Sequence, residues 1–153
     1  MTARTLAPTD EDLLDQIREA YPLSPSAQAL GFELIAVEQA EQTIEAAFLA
    51  TPDMVTQAGI VQSGFLTAML DEALMMAGAA ASDMTRFMSI TDLRCKFINP
   101  VRPGRVVVRA RVAKLGRPAI VLEGELRTMN NIVCVTATAT AIPVEMARIT
   151  RPN

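Results

Sequence analysis

The sequence predicts an α+β domain in which a curved antiparallel sheet of about five to six strands wraps one long central helix. Two observations carry this. The stretch GIVQSGFLTAMLDEALMMAG at 59–78 runs from a glycine-punctuated loop into an almost wholly apolar helix. The chain beyond it divides into four strand-like runs separated by the turn-forming segments NPVRPG, GRP and NN. One strongly apolar helix and a set of half-apolar strands cover their apolar faces most economically by packing on each other. At 153 residues the whole chain, 1–153, reads as one domain. A domain of that size buries about 70% of the surface its unfolded chain exposes.

The elements follow in order. Residues 1–30 form an N-terminal helical segment. In it, Asp10–Tyr21 is an amphipathic helix with Leu13, Leu14 and Ile17 on its apolar side, Thr9 or Asp10 as cap and Pro22 as terminator. Ser24–Leu30 is a second short turn of helix ending at Gly31. Phe32–Val37 and Thr43–Leu49 read as paired strands, and Thr51–Ala58 as a loop. The long helix is expected over Gln62–Ala81, and strands over Met88–Ile98, Gly104–Leu115, Ala119–Met129 and Ile132–Ile142. In the second of these, Arg105, Val107, Arg109 and Arg111 alternate with Val106, Val108, Ala110 and Val112. In the third, Glu123, Glu125 and Arg127 oppose Ile120, Leu122, Gly124 and Leu126. A period of two means a sheet with one covered face and one wetter face.

Composition prunes the chemistry. There is no histidine, which excludes Ser-His-Asp and Cys-His catalysis and imidazole-dependent zinc sites, and no metal is expected. Proton transfer falls to carboxylates, Lys, the single Tyr21 or the thiols. Cys95 and Cys134 are too few for a disulfide framework and read as buried free thiols of a cytoplasmic protein. The start MTARTLAPTDEDLLDQ lacks an apolar core, so no secretory leader is expected. The apolar run at 59–81 is long enough to span a bilayer, but two mid-membrane carboxylates would cost roughly 2.5–3.5 kcal/mol each, and a transmembrane helix is rejected.

Charge is uneven. Residues 1–93 carry three basic and fourteen acidic groups, net −11; residues 94–127 carry nine basic and two acidic, net +7; residues 128–153 add Arg148 and Arg151 against Glu145. The basic segment is either a receptor for a small polyanionic ligand or a solvated sheet face. Nucleic acid is not expected as a partner.

The helix holds the most informative residues, the adjacent Asp71 and Glu72. An ionised carboxylate in an apolar element is costly unless compensated, so its presence there points to a function. At 100° per residue, Phe65, Leu66, Met69, Ala73, Met76 and Ala77 gather on the face expected to meet the sheet. Asp71 lies opposite, among Gly64, Thr67, Ala68, Met75 and Gly78. That small-residue face is either the seam with a second protomer or one solvated edge. Glu72 points about 100° away and reads as structural. At the helix start the N–H groups of Ser63 and Gly64 lack intrahelical partners. They would suit a developing oxyanion, or simply be capped by water or Gln62. Met69, Met75 and Met76 hint at an acyl pocket or fill the core.

Gly59, Gln62, Ser63 and Gly64, with Asp71 nine residues after Gln62, resemble the helix signature of the PaaI-like (4-hydroxybenzoyl-CoA thioesterase-type) hotdog-fold acyl-CoA thioesterases, Asn-x-x-Gly-x-x-His-Gly-Gly followed by a catalytic acid. Thr56, beside Gln57, stands at the asparagine, Gln62 at the histidine, Ser63 and Gly64 at the glycines and Asp71 at the acid. LGFEL at 30–34, FINPVRPG at 97–104 and KLGRPAIV at 114–121 resemble further pieces of that family in the same order. The resemblance implies a hotdog fold, a homodimer or homotetramer with sites at the dimer seam, and hydrolysis of a small or medium acyl- or aryl-CoA. It gives Asp71, Gln62, Ser63 and Gly64 catalytic roles and Thr56, Gln57, Gly59 and Ser89 contacts to the substrate; Ser89 reads more readily as a polar residue near a strand start. Lys114 and Arg117 would hold the phosphates of coenzyme A, which enters as part of the substrate and not as a cofactor. The substitutions at Thr56, Gln62 and Ser63 leave a second reading, a protein that binds acyl-CoA without turning it over. A dehydratase is disfavoured by the missing histidine, and a structural oligomeriser is the remaining class.

Overall fold

In the computed structural model, which describes residues 7–146, two short helices, α1 (Asp10–Ala20) and α2 (Pro25–Ala29), precede the strands β1 (Glu33–Glu38) and β2 (Thr43–Ala50). A single 3₁₀ turn at Pro52–Met54 leads to the long helix α3 (Ser63–Ala81), and four strands follow: β3 (Arg86–Phe97), β4 (Gly104–Lys114), β5 (Ile120–Thr128) and β6 (Val133–Glu145). The strands form one six-stranded antiparallel sheet in the order β1-β2-β4-β5-β6-β3. The expected architecture is present, with boundaries within three residues of those read from the sequence. Residues 1–6 of the N-terminal segment and the basic Arg148 and Arg151 lie outside the described residues.

Local chemistry explains the helix ends. Thr9 caps α1 in a reciprocal capping box with Asp12. Ser24 caps α2 ahead of Pro25. Gln62, expected as the first residue of the long helix, is instead the N-cap of α3, one residue before the helix begins. The Arg18 guanidinium donates to the Leu34 carbonyl at 2.7 Å, and the Tyr21 hydroxyl donates to the Met84 carbonyl at 2.8 Å. These two bonds tie the N-terminal segment to the sheet edge at β1 and to the turn after α3.

The sheet curves around α3, which contacts β2, β3, β4, β5 and β6. The apolarity of α3, sufficient in length and hydropathy for a membrane span, here goes into packing, with about half of the helix buried. Its core face is Leu66, Met69, Leu70, Ala73, Leu74 and Ala77. This corrects the wheel: Phe65 is 38% exposed and Met76 only partly covered, while Leu70 and Leu74 are fully buried. The reason lies on β5. A Cβ on Gly124 would stand 3.2 Å from both Leu70 and Leu74, so the bare glycine admits these leucines and rotates the helix toward them. Gly78 is likewise corrected. It belongs to the core, where a Cβ would meet Met88 at 2.4 Å. Cys134 is fully buried as expected, whereas Cys95 is only partly so, because β3 is an edge strand.

The two sheet edges differ. β1 is covered by α1. β3 is long, twelve residues, and its outer edge carries no strand among the described residues. An unpaired edge of this length is a ready template for another strand.

Leu74→Ala should lower the free energy of unfolding by about 2–5 kcal/mol, the usual cost of a large core truncation, in urea denaturation followed by circular dichroism. An unchanged midpoint would contradict the packing of α3 on β5.

Candidate active site

The loop before α3 is fixed by its own backbone. Thr56 N–H donates to Ile60 O (2.8 Å), Gly59 N–H to Thr56 O (2.9 Å), and Ala58 N–H to the Thr56 hydroxyl (3.3 Å). Gly59 has φ +72°, the left-handed region glycine adopts without strain. Val61 N–H then donates to Val101 O and Gln62 N–H to Met54 O, both at 2.8 Å, pinning the chain at the point where the helix begins. Thr56 therefore shapes the turn, Gln57 is exposed beside it, and Gly59 closes it.

At the helix start the Gln62 side-chain oxygen accepts the Gly64 N–H at 3.0 Å. Of the two donors expected to be unpaired, Gly64 is thus engaged, and Ser63 N–H alone has no hydrogen-bond partner among the described residues. The amide nitrogen of Gln62 makes no bond among those residues and remains available as a donor.

Asp71 sits half-buried on the flank of α3 facing β3. Its carboxylate makes no ion pair and no side-chain hydrogen bond within the described residues. Burial alone holds its carboxyl above the ordinary aspartate range. Its surroundings include Thr67 and Cys95. Burial raises the Cys95 thiol, the neighbouring Thr67 hydroxyl lowers it, and the charge of Asp71 raises it again. The sequence marks Cys95 only as a buried free thiol; the pairing of β3 at the far sheet edge is what brings it beside the helix. Glu72 turns the other way, where Ser26 Oγ donates to it at 3.4 Å. Burial raises its carboxyl first, the hydrogen bond from Ser26 opposes this, and the neighbouring Asp71 charge adds to the rise. Glu72 thus links α3 to α2, as its structural assignment requires.

One chain does not unite the expected residues. Gln62 and Asp71 are nine positions apart on one helix, about 13–14 Å along its axis. Ser89 neighbours the fully buried Met88 on β3, so strand alternation puts it on the sheet face away from α3 and from Asp71. Lys114 and Arg117 are exposed and flank Gly116, where a Cβ would meet the Ala119 carbonyl oxygen at 2.4 Å.

The broad basic segment also resolves into two parts. Arg105 pairs with Glu33 (2.8 Å), Arg109 with Glu38 (3.0 Å), Arg111 with Glu123 (2.6 Å), and Arg127 with Glu125. The strand arginines are therefore neutralised on the outer sheet face, in pairs worth about 0–1 kcal/mol each. This is the solvated sheet face of the two readings. The turn cations Lys114 and Arg117 form no ion pair among the described residues.

The raised Asp71 carboxyl makes a pH-dependent penalty. The folded state holds the proton more tightly than the unfolded chain, whose value is near 3.8. The penalty is thus absent below that value and grows to its full size as pH rises through the folded-state value. Asp71→Asn should raise the thermal midpoint at pH 7, and the gain should shrink as pH falls toward 4. A gain that is equal at both pH values, or a loss at pH 7, would show that the carboxylate is compensated.

The thioesterase superfamily model matches residues 58–135, just over half of the chain and a span that includes Gln62, Asp71, Lys114 and Arg117. A search of curated proteins finds no significant match. Among solved structures, a phenylacetic acid degradation-related protein from Ralstonia eutropha JMP134 shares 29% identity over 85% of this chain and 98% of its own, with a TM-score of 0.77. The E. coli PaaI protein from the phenylacetic acid degradation operon shares the fold at 16% identity, over 90% of this chain and 96% of its own, with a TM-score of 0.78. A Streptococcus mutans protein bound to acetyl-CoA shares it at 11% identity, over 74% and 89%, with a TM-score of 0.67. The chain therefore belongs to the thioesterase superfamily and has the hotdog fold of its PaaI-type members.

Proposed function

We propose that the protein hydrolyses a small or medium acyl- or aryl-CoA thioester and does so as a homodimer or higher oligomer, with each site shared between two protomers. The observation that carries this is Asp71, a half-buried carboxylate with no ion pair or hydrogen bond among the described residues. It lies on the helix flank beside an uncovered strand edge, too far along α3 to meet the helix start of the same chain. Pairing two β3 edges would bring two α3 helices side by side, so that Asp71 of one protomer faces Gln62, Ser63 and Gly64 of the other.

In that arrangement Ser63 N–H, at the positive end of α3, donates a hydrogen bond to the thioester carbonyl oxygen as negative charge develops on it. The Gln62 amide nitrogen is the second donor. Asp71 takes a proton from water as the water oxygen bonds to the carbonyl carbon. The tetrahedral intermediate then collapses, the C–S bond breaks, and the CoA thiolate leaves and is protonated. Direct attack by Asp71 to give an anhydride that water then opens is the alternative course with the same products. Partial desolvation serves either route, since it makes the ionised carboxylate a stronger base. Thr56, Gln57 and Gly59 border the entrance, and coenzyme A is the only carrier group required.

A second reading, acyl-CoA binding without turnover, is favoured by one contact: the Gly64 N–H, a candidate oxyanion donor, is occupied by the Gln62 side chain.

Free-thiol release from a panel of acyl-CoAs should fall by about 10²–10⁴-fold in Asp71→Asn with the fold unchanged by circular dichroism. Ser63→Pro removes the N–H at the first helical position, where proline is tolerated, and should cost about 10²–10³-fold. Mixing the two variants should restore activity, since a mixed dimer contains one intact site. Equal release from Asp71→Asn and the parent would sink the assignment. CoA binding without release from any substrate would establish the non-catalytic reading.

A further inference from the structure

A cavity of about 360 Å³ lies between the N-terminal segment, the later half of α3 and the start of β3. Small-molecule sites have volumes of roughly 300–1,000 Å³. One wall runs from Tyr21 to Ala27 and includes Phe32. These residues precede the superfamily span 58–135, so the cavity is an addition to the shared core. The wall is tied in place: the Tyr21 hydroxyl donates to the Met84 carbonyl at 2.8 Å, and the Phe32 ring is braced edge-on by Phe48 at 5.4 Å. Ala27 and Ala79, both buried, leave open the volume that larger side chains would fill.

The lining is largely apolar and carries one charge. Met75, Met76, Met84, Met88 and Met146 supply thioethers, which adapt their shape to a flat ring and make favourable contacts with it. Among them stands the Glu72 carboxylate. It accepts a hydrogen bond from the Ser26 hydroxyl at 3.4 Å, and no cation lies within 4.0 Å of it among the described residues. Ser24 and Ser26 share a 3.0 Å hydrogen bond beside it, and hydroxyl oxygens have two acceptor sites each. No lysine or arginine lines the cavity, and every lining residue except Met146 falls within residues 1–93, whose net charge is −11. A carboxylate in an apolar wall, within an acidic region, favours a cationic guest and repels an anion.

The cavity is separate from the residues assigned to hydrolysis. Asp71 and Glu72 leave α3 about 100° apart, Asp71 toward β3 and Glu72 toward α2. None of Gln62, Ser63, Gly64, Asp71, Lys114 and Arg117 lines it.

We propose that the cavity binds a small aromatic amine, with its ammonium on Glu72, the Ser24 and Ser26 hydroxyls as further acceptors, and its ring against the methionines and Phe32. This goes beyond the thioesterase reading and does not depend on it. Such a guest bridges the N-terminal segment and α3, so its binding stabilises the folded chain.

Calorimetric titration of the full chain with phenethylamine and with tryptamine should show saturable binding, and each amine should raise the thermal midpoint. Glu72→Gln should weaken both by about tenfold or more, the cost of losing a hydrogen bond to a charged group. Phenethyl alcohol, the same body without the charge, should bind more weakly by a similar factor. Ala79→Met should fill the cavity and remove binding, with the fold unchanged by circular dichroism. Glu45→Gln, which removes a carboxylate of β2 outside the cavity, should leave the affinity unchanged. Asp71→Asn should change it far less than Glu72→Gln does. Amine binding in a protein that releases no thiol would keep this site and discard the hydrolase. Amine affinity in Glu72→Gln equal to that of the parent would overturn the proposal, as would phenethyl alcohol binding as tightly as the amine. So would an absence of response to either amine, or displacement of the bound amine by an acyl-CoA, which would make the cavity part of the thioester site.

Discussion

Burial of α3 inside the curved sheet is the constraint on which the rest of the structure depends. A 19-residue helix with this much apolar surface must be covered, and five strands cover it from one side. Leu66, Met69, Leu70, Ala73, Leu74 and Ala77 bury completely or nearly so, at about 25 cal/mol per Å² of apolar surface removed from water. The coverage is asymmetric, and that asymmetry positions everything functional. The flank left open carries Asp71 toward β3 and Glu72 toward α2. Close packing elsewhere is bought with glycine: Gly124 and Gly78 lie where a methyl group would collide with the helix or with Met88.

Electrostatics separates the surface into structural and reserved charge. On the outer sheet face arginine and glutamate meet between β4 and β5 and, across the intervening β2, between β4 and β1, and each pair satisfies its own charge. Such pairs add solubility and a little stability, but they leave no field to attract a ligand. Asp71 differs: it is held on the helix that organises the fold and has no partner of opposite charge within the described residues. A group that has no structural partner keeps its full interaction for a substrate, at the cost of desolvation in the free protein.

The start of α3 shows how a sequence change is absorbed locally. Gln62 caps the helix by accepting the Gly64 N–H. It thereby takes over a task that water or a ligand would otherwise perform, and leaves Ser63 N–H as the open donor. The loop that delivers it is held by backbone bonds from Thr56, Val61 and Gln62, so the donor is fixed in place before any substrate arrives.

Much of this was legible in the chain itself. The period-two alternation of β4 and β5, the turn residues between strands and the glycine before α3 determined the elements and the α+β class, because each is a local property of the backbone and of which side chains face water. The spacing of Gln62, Ser63, Gly64 and Asp71 determined the candidate site for the same reason. Tertiary structure decided what local periodicity does not encode. The helix turned toward Leu70 and Leu74 because Gly124, fifty residues away, makes room there. Cys95 came beside Asp71, and Ser89 turned away from it, because β3 pairs with β6 at the far edge of the sheet. Register between distant strands is set by the collective burial of one face, and so by the whole fold at once.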